Sequence, residues 1–268
     1  MSLLEDLKGF HKAIGGKAFG EIAYGWRQKS AGQAVSLQNE AIVWIQVALH
    51  RSPEVASLFR KRLEAKDQII GIQPPKLLEL TTKEEPLRTL WTSTFVESAP
   101  FSITPELQDP IVLDSEWLQK LETQLIRLAE ASSPFESYRQ ELITRRIQER
   151  YGPDLPTQIE TWQTIHGDLH WANVTEDCTL LDWEGWGIGP RYLDIAFLYE
   201  YSVACPPVCQ ILEEKFPFLW GTSDGLICLL FVSSELLRMI ELYEDHPQLK
   251  TPLETLAQRV IQQMTQKP

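Results

Sequence analysis

Between residues 165 and 195 the chain places three side chains whose types and spacing suit phosphoryl transfer. Asp168 is followed five positions later by Asn173, and nine positions beyond that Asp182 ends the run Thr179-Leu180-Leu181. Moving a phosphoryl group from a nucleotide needs a carboxylate that orients the acceptor hydroxyl and takes its proton. It also needs oxygen ligands for Mg²⁺. An Asp-x-x-x-x-Asn loop sets a carboxylate and an amide oxygen on either side of one tight turn, and a short hairpin would return the second acid to the same point. Asp168 is the expected catalytic carboxylate, with Asn173 and Asp182 as the expected metal ligands.

Each of these residues also has a plainer use. Asp and Asn in loops form turns by bonding nearby backbone, and Asp182 or Asp194 could cap a helix. One such residue decides nothing; the ordered set favours a site.

The set also carries a resemblance. His166-Gly167-Asp168-Leu169-His170-x-x-Asn173 resembles the catalytic loop of the aminoglycoside phosphotransferase and choline kinase group, small-molecule relatives of the protein kinases. Leu181-Asp182-Trp183-Glu184 is similar to that group's counterpart of the D-F-G metal strand, and Gly189-Pro190-x-x-x-Asp194-Ile195-Ala196 to the segment after it. The strong resemblance spans roughly 30 residues and thins elsewhere.

The resemblance implies a bilobal, protein-kinase-like α+β fold. A small antiparallel-sheet lobe, residues 1–97, would bind nucleotide, and a larger, mainly helical lobe, residues 98–268, would hold the catalytic and substrate groups. It implies ATP as donor (or GTP), Mg²⁺ as cofactor, and a small-molecule hydroxyl as acceptor: aminoglycoside-like, an amino alcohol or sugar-like. Asp194 follows Asp182 by only twelve positions, where protein kinases carry a much longer peptide-binding segment, so a small acceptor is favoured. His166 and His170 are expected as hydrogen-bonding supports of the loop, and Asp194 as a partner of its backbone. Glu184 lies two residues past Asp182, so on an extended segment the two carboxylates would point the same way, toward metal or a cationic substrate. Trp171, Trp183 and Trp186 could wall a cation or simply pack in the core.

The N-terminal elements would position the nucleotide. Residues 2–13 read equally as a helix or a leading strand. Ile14-Gly15-Gly16-Lys17-Ala18-Phe19-Gly20-Glu21-Ile22-Ala23-Tyr24 reads as two strands around a glycine turn, which lets backbone N–H groups approach phosphates. It resembles the kinase G-x-G-x-x-G-x-V loop, with Gly15, Gly20 and Ile22 in place and Lys17 where the middle glycine belongs. Gly32–Gln38 then reads as a third strand. In kinase-like folds this strand ends in a lysine on the α- and β-phosphates, and here that position is Gln38. Three accounts stand open: Lys29 is the true counterpart with Glu40 as its helix partner, Lys17 supplies the charge, or the phosphate site is degraded and turnover is weak or lost.

Asn39–His50 is expected as a helix, and Ser52-Pro53-Glu54 starts another. Lys76–Leu80 and Thr89–Val96 read as strands around the Lys83-Glu84-Glu85-Pro86 turn. Phe95-Val96-Glu97-Ser98-Ala99-Pro100 resembles the hinge between lobes, where backbone at Glu97 and Ala99 would meet adenine. Beyond it the periodicity turns helical: from Asp114 or Ser115 to about Ala131, from the capping box Ser133-Pro134-Phe135-Glu136 to Tyr151, from Leu193 to Val203, from Val208 to Phe216, from Ser223 or Asp224 to about Tyr243, and from Thr251. Thr157–Ile165 would enter the catalytic loop from the end of a helix.

Composition narrows the functional classes. With 43% hydrophobic and 23% charged residues the 268-residue chain suits a globular protein of one large domain or two lobes. A net charge of −12 argues against nucleic acid and suits a cationic acceptor. No apolar run approaches membrane-spanning length and no basic-then-apolar leader opens the chain, so the expected location is cytoplasmic and no membrane partner is implied. Cys178, Cys205, Cys209 and Cys228 lack metal-ligand spacing and are expected as free thiols. Oligomeric state leaves no mark on the sequence.

Overall fold

The computed structural model describes residues 2–84 and 87–266 and divides into two compact units. The first comprises residues 1–69 and 73–99, the second residues 70–72 and 100–268.

The first unit opens with helix α1, Leu3–Ala13, whose start is fixed by a capping box: Ser2 Oγ accepts from Glu5 N, and Glu5 Oε2 accepts from Ser2 N at 2.7 Å. Strands β1 (Lys17–Tyr24), β2 (Ser30–Ser36), β3 (Ile42–Leu49), β4 (Leu77–Lys83) and β5 (Arg88–Thr94) form an antiparallel sheet in the order β1-β2-β3-β5-β4. Helix α2, Pro53–Ala65, joins β3 to β4 and starts where Ser52 Oγ accepts from Val55 N. Glu85 and Pro86 of the expected turn lie outside the described residues.

Two expectations for this unit are overturned. Asn39–His50 is not a helix. Val43, Ile45 and Val47 alternate with Trp44, Gln46 and Ala48, and that period of two makes residues 42–49 the third strand. The odd-numbered side chains pack with Leu7 of α1, Val35 and Leu90, while Ala48 packs with Phe59 and Leu63 of α2 and with Trp91. Burial on both faces leaves a near-continuous apolar run, which masks the strand period. Gly32–Gln38, the expected third strand, is therefore mostly the second.

The glycines also do something else. Gly15 (φ 69°) and Gly16 follow the C-cap Ile14 and end α1, with Gly15 in the left-handed region that such ends favour. Residues 17–24 form one strand rather than two, and the turn between the first two strands is Gly25–Lys29. Gly20 (φ 69°) sits where the β1–β2 register shifts, its carbonyl accepting from Gln33 Nε2 at 2.9 Å.

The second unit is built on helix α8, Ser223–Tyr243, of which 14 residues are buried. Around it lie α3 (Ser115–Glu130), α4 (Gln140–Tyr151), α5 (Leu193–Glu200), α6 (Pro206–Lys215), α7 (Phe218–Gly221) and α9 (Lys250–Gln266). The α3 start is as expected: Asp114 Oδ1 accepts from Trp117 N at 2.7 Å. Thr222 Oγ1, one residue before the expected caps, accepts from Gly225 N at 3.0 Å to begin α8.

Here too local signals yield to tertiary pairing. Ser133-Pro134-Phe135-Glu136 does not open a helix. Ser133 Oγ accepts from Phe135 N, and residues 135–138 run extended along Ile188, so α4 begins only at Gln140. Residues 157–161 are not helical either; they lead into strand β6, Trp162–Ile165, which pairs antiparallel with β7, Gly187–Pro190. The four cysteines are free, and three of them are buried.

Candidate active site

Strands β6 and β7 are the two stems from which the site hangs. Ile165 pairs with Gly187, and the 21 residues between them form the loops that hold Asp168, Asn173 and Asp182. Within that span a tight hairpin forms: Val174 bridges Leu180, Thr175 N donates to Thr179 O, and Leu181 N donates to Asn173 O at 2.8 Å. That last bond puts Asp182 one residue from the rung that holds Asn173.

The first loop is fixed by its backbone. Asp194, 3% exposed at the start of α5, accepts from His166 N and from Gly167 N, both at 2.8 Å. Gly167 adopts φ 84°, where only glycine is free of strain, and a Cβ there would stand 2.5 Å from Gly185 O and 2.6 Å from Ser137 Oγ. His166 is fully buried, rests edge-on against Trp183 and donates from Nε2 to Leu181 O at 2.7 Å. Burial holds its pKa down to about 4, so the ring is neutral and ties one loop to the other.

The reacting-group candidates converge. Asn173 is 6% exposed and its Nδ2 points back into the loop, 3.0 Å from Asp168 O and 3.5 Å from Asp168 Oδ2. His170 Nε2 lies 3.1 Å from the same Nδ2 and 3.7 Å from Asp168 Oδ2. Burial, then the nearby His246, hold His170 down to about 3, so it too is neutral and offers a lone pair to the Asn173 amide.

The Asp168 side chain opens to solvent over 44% of its surface, yet the surrounding protein displaces enough water to push its carboxyl up to about 6. Asp182 is raised too, by desolvation first and then by the charge of Asp168. Burial also pushes Asp194 up to about 6, against the two backbone N–H groups that favour its charged form. The charge of Asp168 thus bears on Asp182, and among the described residues no Lys or Arg forms an ion pair with either acid, a deficit that a hard cation would offset.

The donor set fits Mg²⁺. The ion prefers oxygen and usually takes one or two carboxylates, leaving its other positions to water and phosphate. With Nδ2 of Asn173 held by the loop, the amide oxygen is the atom left for an ion. Among the described residues no three His, Cys, Asp or Glu side chains cluster as a closed metal cage.

Other expected residues stand elsewhere. Glu184 does not follow Asp182 on an extended strand: Asp182 has φ 55° and residues 183–184 form a turn, so alternation does not align the two carboxylates. Trp171, Trp183 and Trp186 do not wall a cation, being at most 2% exposed and packed in the core. Two of their indole N–H groups are spent on Ser202 Oγ and Leu180 O.

In the first unit, Lys17 is an exposed residue opening β1, and Gly15 and Gly16 precede it at the end of α1. Gln38 lies in the turn between β2 and β3, so it is not on the third strand. Glu97 and Ala99 are exposed beyond β5. Lys29 Nζ stacks 3.9 Å from the centre of the Trp26 ring, in the β1–β2 turn.

The structure draws attention to Gln46, which the sequence did not single out. It lies on the third strand, on the face turned toward α2, and its Oε1 accepts from Trp44 Nε1 at 3.1 Å. The alternation of Val43, Ile45 and Val47 is the signal that would have found it.

Residues 102–215 match the family model described as Phosphotransferase enzyme family (APH). A search of curated proteins returns no match. Among solved structures, the chain resembles macrolide 2'-phosphotransferase MphH from Brachybacterium faecium, with 12% identity, TM-score 0.58 and coverage of 93% of this chain and 98% of that one. It also resembles a candidate fructosamine-3-kinase from Thermobifida fusca, with 17% identity, TM-score 0.54 and coverage of 96% and 98%. A second candidate fructosamine-3-kinase, from Haemophilus somnus, aligns with TM-score 0.53 at 12% identity over 96% of each chain. The fold is thus that of the protein-kinase-like small-molecule kinases, and the loops bearing Asp168, Asn173 and Asp182 fall inside the match to the phosphotransferase enzyme family.

Proposed function

We propose that the protein is an ATP- and Mg²⁺-dependent phosphotransferase that moves the γ-phosphate to a hydroxyl of a small molecule. The observation that carries this reading is the linkage of the two loops: the Asn173 amide is anchored to the Asp168 carbonyl, and the Asn173 carbonyl accepts from Leu181 N, directly before Asp182, whose carboxyl the Asp168 charge helps to raise. Asp168 would orient the acceptor hydroxyl and take its proton late in transfer. Asp182 and Asn173 Oδ1 would hold Mg²⁺, which supplies charge neutralisation at the phosphates. His166, His170 and Asp194 shape the loop through hydrogen bonds and take no part in proton transfer. The acceptor class spans aminoglycoside-like compounds, amino alcohols and sugars, and the acidic chain favours cationic members.

The test is release of ADP from Mg·ATP across amino-alcohol and sugar libraries, with wild type beside Asp168→Ala. A positioned general base typically contributes about 10²–10⁴-fold, so the variant is expected to lose at least a hundredfold. Equal turnover in the two proteins removes Asp168 from the mechanism.

A second reading has its own observation. Strand β3 reads Ile-Val-Trp-Ile-Gln-Val-Ala-Leu and contains no lysine, so Gln46 faces α2 where kinase-like folds carry a cation for the phosphates. A nucleotide-binding protein of weak or absent turnover would fit that substitution. Calorimetry that detects ATP binding, with no ADP released on any acceptor, would favour it.

A further inference from the structure

The segment that the capping box marked as a helix start lies instead along the site. Ser137 N donates to Ile188 O at 2.9 Å, and Ile188 N donates to Phe135 O at 2.7 Å, so residues 135–138 form a strap beside β7. Two neighbouring side chains leave this strap for two different loops. Ser137 Oγ donates to Gly185 O at 2.5 Å, three residues after Asp182. Tyr138 Oη donates to Gly167 O at 3.0 Å, directly before Asp168. The two carbonyls belong to peptides that already touch, since a Cβ on Gly167 would meet both Gly185 O and Ser137 Oγ. Nothing in the phosphotransfer chemistry needs either hydroxyl, yet both are aimed at the loops that bear the reacting groups.

We propose that Ser137 and Tyr138 are positioning residues that clamp the Asp168 loop to the Asp182 loop, fixing the catalytic carboxylate relative to the metal ligand. The name "positioning" rests on the phosphotransferase reading; the mechanical coupling of the two loops does not. Burial, with Asp168 and Asp194 nearby, keeps the Tyr138 phenol protonated, so it stays a donor at any working pH. The clamp acts on carbonyls rather than on the acids themselves. It therefore sets the distance between Asp168 and Asp182 without competing for the oxygens that a proton or a cation would take. A hydrogen bond net of solvent is worth roughly a tenfold change in a local opening equilibrium.

Amide hydrogen exchange on the full chain, with no ligand added, tests the coupling. In Tyr138→Phe, which removes only the hydroxyl, residues 166–170 and 181–186 are expected to exchange about tenfold faster together, with α8 and α9 unchanged. Ser137→Ala is expected to loosen the same two stretches, and the double variant to exceed the singles by little, because either cut opens the clamp. Loosening confined to the loop whose own carbonyl lost its donor, or spread through α8 and α9, overturns the proposal.

Binding of Mn²⁺ in the presence of a non-hydrolysable ATP analogue, followed by electron paramagnetic resonance, tests the consequence. Both variants are expected to bind the ion about tenfold more weakly, with affinity for the analogue alone unchanged. Unaltered Mn²⁺ affinity, with exchange raised as expected, overturns the positioning role. Wild type that takes no Mn²⁺ removes the phosphotransferase reading instead, and the exchange data then decide the clamp by themselves.

Discussion

Asp194 holds Gly167 by the backbone: Oδ1 accepts from Gly167 N at 2.8 Å while Oδ2 accepts from the preceding His166 N at the same distance. One carboxylate from the start of α5 thereby fixes the peptide that leads into Asp168. Asp194→Ala strands two buried donors, each costing about 1–3 kcal/mol, and should lower the urea midpoint accordingly. Asp194→Asn retains one acceptor oxygen and should recover about half of that loss. Gly167→Ala, at φ 84° with its Cβ set against Gly185 O, should cost at least as much as Asp194→Ala in the same titration.

The first unit depends on a second buried carboxylate. Asp6 of α1 and Arg88 of β5 are each 1% exposed and form an ion pair, with Lys83 Nζ 3.7 Å from Asp6. Asp6→Ala would leave Arg88 charged and unpaired in the interior, a loss of about 3–5 kcal/mol by chemical denaturation. The double variant Asp6→Leu/Arg88→Met should be far closer to wild type, since replacing both charges by apolar groups is often neutral. If the double variant is as unstable as the single, packing rather than charge explains the loss.

Asp182→Asn separates the two sides of the site's electrostatics. Without metal, removing one of two mutually repelling carboxylates should stabilise the protein, by on the order of 1 kcal/mol after allowance for the solvent that reaches Asp168. Under the phosphotransferase reading wild type should gain Tm with Mg·ATP, and the same variant should lose that gain. A variant that keeps the full rise would remove Asp182 from the ligand set.

Gln46→Lys probes the altered third strand. Under the phosphotransferase reading, a cation on this face of β3 should tighten ATP binding about tenfold, measured by calorimetry. The lysine must give up the bond that Trp44 Nε1 makes to Gln46 Oε1, so a modest fall in Tm is expected alongside. Unchanged ATP affinity would mean that the phosphates do not meet this strand.

Stability should also depend on pH through Glu200. This α5 side chain is fully buried, accepts from Ser233 Oγ at 2.7 Å, and is raised well above the ordinary carboxyl range by desolvation. The unfolded chain releases the Glu200 proton near its ordinary pKa while the folded chain keeps it. Stability therefore falls as pH rises above that value, by up to about 1.4 kcal/mol per pH unit, until the folded group itself ionises. Glu200→Gln should remove this slope, so urea midpoints of variant and wild type should diverge between pH 5 and 7. Parallel midpoints across that range would mean the carboxyl is ionised in the fold.

How far the sequence reached can be judged residue by residue. Asp168, Asn173 and Asp182 were legible because loop chemistry is local: five positions and a hairpin bring them together, whatever surrounds them. The starts of α2 and α3 were legible for the same reason, since Ser52 and Asp114 cap their own helices. What failed were signals with two local meanings. Gly15-Gly16 ends a helix as readily as it turns a hairpin, and Ser133-Pro134-Phe135-Glu136 caps a helix only if nothing pairs its backbone.

The sequence by itself determined the side chains on offer: two acids and an amide at a spacing that the proposed phosphoryl transfer would use, on an acidic chain with free thiols. Only the tertiary structure decided the rest. It turned Ile42–Leu49 into a strand, because α1 and α2 cover both of its faces and an apolar run looks alike in either conformation. It placed Gln38 in a turn and Gln46 on the third strand, and laid Ser137 and Tyr138 across the two loops of the candidate site. The Ser137 and Tyr138 bonds reach partners 48 and 29 residues away, and strand 42–49 pairs with residues 88–94, none of which a window of local sequence contains.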